Sequence, residues 1–113
     1  MTKNKDSTRY YSHQQEQYVA DLLGGKLSAN SGAANYSAGD VLLTDWLIEC
    51  KTTMKPKQSF SIKEEWMLKN KLERIALQKT YSALAFQFEP NGTNYFVVDE
   101  RTFERLLREN GYA

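Results

Sequence analysis

Residues 40–51 constrain the fold more than any other stretch of the chain. They read Asp-Val-Leu-Leu-Thr-Asp-Trp-Leu-Ile-Glu-Cys-Lys, two short apolar strands with Thr44-Asp45 between them. Side chains alternate faces along a strand. Leu42 and Leu47 therefore fall on one face, and Val41, Leu43, Trp46 and Ile48 on the other. A sheet that is apolar on both faces must be covered on both, which predicts helices packed on a central sheet. If Thr44 and Asp45 alone form the loop, Asp40 lies directly opposite Glu49, and Lys51 shares their face. Thr-Asp is not a favoured two-residue loop, so a longer turn with a shifted register stays open.

The rest of the chain supplies the covering elements. Ser12 and Gln15 fit a capping box, predicting a helix that ends at Gly24-Gly25, with Val19, Leu22 and Leu23 as its inward stripe and Glu16 at the stripe's border. Residues 1–11 read as a loose polar segment, and 12–113 as one domain, the size a single core of this length allows. Lys26 to Ala29 begin a strand, and the small residues up to Gly39 leave room for a ligand near the backbone. Ser61 and Glu64 form a second capping box for a helix to about Lys79, with Met67, Leu68, Leu72, Ile75 and Ala76 inward. Strands over 83–88 and 94–98 flank the turn Pro90-Asn91-Gly92. A last helix, about 100–110, turns Phe103, Leu106 and Leu107 inward. The predicted class is α/β with a mixed central sheet, in the order α-β-β-β-α-β-β-α.

One cysteine and one histidine exclude a disulfide framework and a zinc cluster. No apolar run spans a bilayer and no secretory leader is evident, so the cytoplasm is the expected compartment. The net charge of +1 is uninformative, but its distribution is not. Between 51 and 79, Lys51, Lys55, Lys57, Lys63, Lys69, Lys71, Arg74 and Lys79 outnumber Glu64, Glu65 and Glu73. An acidic centre beside a basic segment suits a metal site flanked by a phosphate-binding surface.

Two carboxylates facing each other across a hairpin, with Cβ atoms about 5 Å apart, repel unless a positive charge joins them. A divalent cation and the adjacent Lys51 would supply it. A salt bridge from Lys51 to Glu49 or Asp40 is the plainer alternative.

The set Glu16, Ser31-Gly32, Gly39-Asp40-Val41 and Ile48-Glu49-Cys50-Lys51 resembles the restriction-endonuclease-like PD-(D/E)XK nucleases. Within that superfamily it is most similar to the Holliday junction resolvases of archaea and bacteriophages, although Gly39 stands where the name-giving proline would be. The resemblance implies a phosphodiester hydrolase acting on DNA, a homodimer on branched substrates, and a phage-type source. It implies that Asp40, Glu49, the Cys50 carbonyl and Glu16 hold Mg²⁺ or Mn²⁺. Lys51 would orient or help deprotonate the attacking water, and Ser31 would contact phosphate. Lys55, Lys57, Lys63 and Lys69 are the candidate DNA contacts, since phosphate contacts position DNA without reading its sequence. Two rival readings stay open: a nuclease of this fold acting on duplex, flap or single-stranded DNA, and a DNA-binding module without catalysis. The exposed part of the long helix and the hairpin tip at Trp46 are the two candidate dimer surfaces.

Overall fold

The computed structural model describes residues 8–28 and 40–112. Three helices and five strands follow in the order α1 (Thr8–Leu23), β1 (Lys26–Leu27), β2 (Asp40–Leu42), β3 (Trp46–Lys51), α2 (Glu64–Ala76), β4 (Tyr81–Phe86), β5 (Tyr95–Val97) and α3 (Glu100–Glu109). The strands form one mixed sheet in sequential order. β3 and β4 are parallel, joined by the α2 crossover, and the other neighbours are antiparallel. Helices cover both faces, as the two-faced apolar hairpin requires.

The face under α1 holds the main core. Val19 and Ala20 pack there against Val41, Ile48, Cys50, Ala83 and Ala85. Leu47 and Leu84 are fully buried on the other face. That second face carries Asp40, Glu49 and Lys51 by strand alternation. The tip of the hairpin is anchored on the α1 side, where Trp46 stacks on Tyr81 with ring centroids 4.8 Å apart.

The hairpin loop is the two-residue one. Asp40 pairs with Glu49, Val41 with Ile48 and Leu42 with Leu47, and the Leu43 amide donates to the Trp46 carbonyl. A neighbouring element supports this unfavoured turn. The Lys79 ammonium donates to the carbonyls of Leu43 and Thr44, and the Tyr81 amide to that of Asp45. Three loop carbonyls that would otherwise need water are thus partnered.

Both proposed capping boxes are corrected. α1 begins at Thr8, so Ser12 lies within the helix and residues 8–11 are helical. α2 begins at Glu64 after an extended Lys63, with no side-chain cap, which leaves Ser61 outside, and it ends at Ala76, short of Lys79. α1 closes as expected, with Gly24 at φ +74° and the Gly25 amide bonded to the Ala20 carbonyl, a Schellman ending. α3 is capped by the Asp99 carboxylate, which accepts from the Thr102 amide at 2.8 Å; the hydrogen bond with the Thr102 side chain, and then that amide bond, hold it below the usual aspartate range.

The helix orientations differ from the apolar stripes. Leu22 on α1 and Phe103 on α3 are exposed. On α2 the departure is larger: Leu68, Leu72 and Ile75 are 54%, 66% and 53% exposed, Ala76 is also exposed, and Asn70 is buried. α2 presents Trp66, Asn70 and Glu73 to the sheet, at positions i, i+4 and i+7, and turns its leucines outward. Asn70 donates to the Ala83 carbonyl across the interface.

Candidate active site

The site is built on the sheet face beneath α2. β2 begins at Asp40 and β3 carries Glu49 opposite it, so backbone pairing alone brings the two carboxylates together. α2 adds a third. Asp40, Glu49 and Glu73 each offer a carboxylate oxygen within 4.8 Å of the others. Asp40 is 2% exposed and Glu49 4%. One oxygen of each, Asp40 Oδ2, Glu49 Oε1 and Glu73 Oε1, is buried with no hydrogen-bond partner.

Two ammonium groups border the acids. Lys51 Nζ lies 3.3 Å from Glu49 and 4.4 Å from the centroid of Trp66, so an ion pair and a cation–π contact fix it from two sides. Lys69 Nζ lies 3.4 Å from Glu73, one turn away on α2. Burial pulls Lys69 down, but Glu49, Glu73 and Asp40 together outweigh it and raise its pKa.

The cations do not neutralise the cluster. Burial foremost, then the charges of Glu73 and Glu49, push the Asp40 carboxyl up to about 7 against the pull of Lys69. A hydrogen bond between Asp40 and Glu73 adds to the rise. Near neutral pH a proton on the Asp40 carboxyl relieves the repulsion. A bound cation would relieve it too, and three orphaned buried oxygens are the donor set a hard divalent ion takes. The salt-bridge alternative accounts for Lys51 and Glu49; Asp40 and its unpartnered oxygen lie outside it.

Glu16 stands apart. It belongs to α1, and its carboxylate is not one of the three that converge. Burial pushes it up to about 7, with Arg9 opposing. Its charge, with those of Asp40 and Glu49, adds to the burial that raises the Cys50 thiol. Cys50 turns its side chain into the α1 core, and its carbonyl follows Glu49 along β3. Ser31 lies outside the described residues. Lys55, Lys57 and Lys63 are exposed on the connection from β3 to α2, with Lys63 Nζ 5.7 Å from the Trp66 ring. Lys69 faces the acids.

Glu73 was the residue that sequence reasoning missed. Its signal was the spacing of Trp66, Asn70 and Glu73, a second stripe on α2 that the leucine stripe obscured.

α1 reaches the site through Gln15, which is 1% exposed. Its amide nitrogen lies 2.9 Å from the Lys51 carbonyl, 3.2 Å from that of Ala85 and 3.0 Å from Asn94 Oδ1. This fixes the end of β3 that carries Lys51 against β4 and the residue before β5.

Protein-family models, curated proteins and solved structures give no match to this chain. The functional reading therefore rests on the site itself. No helix among the described residues is long and apolar enough to cross a membrane.

Proposed function

We propose that this protein is a divalent-metal-dependent DNA endonuclease of restriction-endonuclease-like fold, and more narrowly a structure-selective Holliday junction resolvase. The observation that carries the nuclease reading is the set of three converging carboxylates with orphaned buried oxygens beside Lys51. Asp40, Glu49 and Glu73 would hold Mg²⁺ or Mn²⁺, with the Cys50 carbonyl as a further oxygen. A bound divalent cation supplies Lewis-acid polarisation of the scissile phosphate and a more acidic water.

The chain's own groups do the rest. Lys51, held by Glu49 and the Trp66 ring, presents an ammonium that orients the attacking water and offsets charge building on the phosphoryl oxygens. Asp40, protonated near neutral pH, would give up its proton to serve as a ligand to the cation. Exposed Lys55, Lys57 and Lys63 offer the DNA backbone a sequence-independent hold. A binding module gains nothing from two buried carboxylates and a half-buried third that repel one another, which favours catalysis over binding alone.

The test is cleavage of labelled four-way junction, flap, duplex and single-stranded DNA with Mg²⁺, Mn²⁺ or chelator. Paired symmetric cuts in the junction alone are expected. Cutting of the other substrates would retain the nuclease and discard the junction preference. Binding without cutting in either metal would sink the enzyme reading.

The ligand set has its own test. Divalent metal is expected to raise the melting temperature by binding the folded state. Glu73→Gln should weaken that binding by roughly tenfold or more, and Glu16→Gln by less. The reverse order, read from metal titrations of the melt, would make Glu16 the third ligand and remove Glu73.

A further inference from the structure

The sheet face that carries the acids continues sideways from Lys51. In the register of β3, β4 and β5, Lys51 pairs with Phe86 and Phe86 with Tyr95. Paired residues share a face, so the three stand in one row across the sheet, two residues along β3 from the row of Asp40 and Glu49.

Aromatic rings fill this row and its border. Phe86 stacks on Tyr95 with centroids 5.6 Å apart and lies 5.1 Å from Phe60, which lies 6.4 Å from Trp66. Phe88 meets Phe86 and Tyr95 edge-on, at 5.3 and 5.5 Å. The Lys51 ammonium rests 4.4 Å from the Trp66 centroid, so the rings run unbroken from that ammonium to Tyr95. None of the five aromatic residues is buried. β5 is the edge strand, and the row opens to solvent there, with Tyr95 48% exposed.

The charges around the row select the occupant. Lys63 Nζ lies 5.7 Å from the Trp66 ring. The Lys57 amide donates to the Phe88 carbonyl, which ties the exposed connection of Lys55 and Lys57 to the far side of the row. Glu64 and Glu89, next to Lys63 and Phe88 in the chain, are fewer than these lysines and Lys51. Rings interleaved with ammonium groups suit an unpaired nucleotide: a ring stacks on any base, and the lysines hold the phosphates beside it. A continuous duplex brings only its backbone, because its bases already stack on one another.

We propose that this row is a stacking site for an unpaired base of the DNA strand whose phosphate meets the acidic cluster. The proposal deepens the nuclease reading and rests on it for the identity of that phosphate. It names the substrate as DNA with an unstacked base beside the cut. A branch point supplies one, whereas uninterrupted duplex must first flip one out at an energetic cost.

Fluorescence anisotropy in chelator tests this without metal or cleavage. The probes are a labelled single strand, a strand of equal length and charge whose residues are abasic, and the paired duplex. The wild type is expected to bind the base-bearing strand roughly tenfold more tightly than the abasic one. Tyr95→Ala should lose most of that difference, and Tyr95→Trp should keep it. Phe60→Leu, which keeps apolar bulk and removes the ring, should also reduce it. Phe96→Ala serves as the control, since Phe96 pairs with Ala85 on the opposite face. It should bind all three probes as the wild type does. Equal binding of the base-bearing and abasic strands by the wild type overturns the proposal. So does a Tyr95→Ala protein that discriminates like the wild type, or a loss as large in Phe96→Ala as in Tyr95→Ala. The two readings fail separately. Base-dependent binding lost in Tyr95→Ala, with no cutting in Mg²⁺ or Mn²⁺, upholds the stacking site and removes the nuclease. Cutting by a protein that binds both strands equally keeps the nuclease and removes the stacking site.

Discussion

Asp40→Asn is expected to lower phosphodiester cleavage by roughly 10³-fold or more while making the metal-free protein more stable. The two effects have one origin. Asp40 is almost completely buried beside Glu49 and Glu73, and its ionised form suffers from burial and from both neighbours. Asparagine has the same shape and no charge, so it removes repulsion and leaves packing in place. With the carboxyl raised from 3.8 to about 7, the gain at pH 8 is on the order of 4 kcal/mol. On the proposed nuclease reading, catalysis would fall because a ligand oxygen would be lost, and several kcal/mol of transition-state stabilisation would go with the metal. Activity and a thermal melt of the two proteins in chelator check both halves. A variant that loses several kcal/mol of stability would instead mark Asp40 as half of a structural ion network, where removing one partner strands the other.

The second large effect is in pH. In chelator, the folded protein should melt at a lower temperature at pH 8 than at pH 5. The unfolded Asp40 carboxyl loses its proton near 3.8, and the folded one near 7. Between those values the folded state holds more protons than the unfolded, so stability falls as pH rises through that window and is lowest above it. Glu16, raised from 4.5 to about 7, acts in the same direction. Saturating Mn²⁺ should abolish most of the Asp40 part at pH 8, because the cation takes the proton's place. Asp40→Asn should flatten the metal-free slope and leave the share due to Glu16. A melting temperature that is level or rises from pH 5 to pH 8 in chelator would contradict the raised carboxyls.

How much of this was legible in the sequence depends on how locally each feature is determined. The facing of Asp40 and Glu49 is local: two apolar strands and a tight loop fix it by counting, and Lys51 follows from alternation. The loop itself looked wrong for a tight hairpin because its support, Lys79, comes from the far end of the crossover. The order of elements was readable from periodicity and turn residues. The rotation of the helices was not. Apolar spacing on α2 names a face with Leu68 and Leu72 but does not say whether the sheet or another surface covers it. Asn70 faces inward because the sheet beneath it offers the Ala83 carbonyl, and Glu73, three residues on, is carried onto the acidic cluster with it; α2's own sequence displays neither. In the sequence Glu16 stands out for its place beside an apolar stripe, and Glu73 reads as one more charge on a mixed helix.

The parallel pairing of β3 with β4 also sets an order of events. Asp40 meets Glu49 across nine positions of chain, whereas Trp46 meets Tyr81 across thirty-five. A hairpin closes in microseconds, and a parallel ladder waits for its crossover. The carboxylate pair therefore assembles while still wetted by solvent, where its repulsion is slight. The repulsion grows only when α2 descends, bringing Glu73 and excluding water. The electrostatic barrier thus falls late on the folding route, at the docking of one helix.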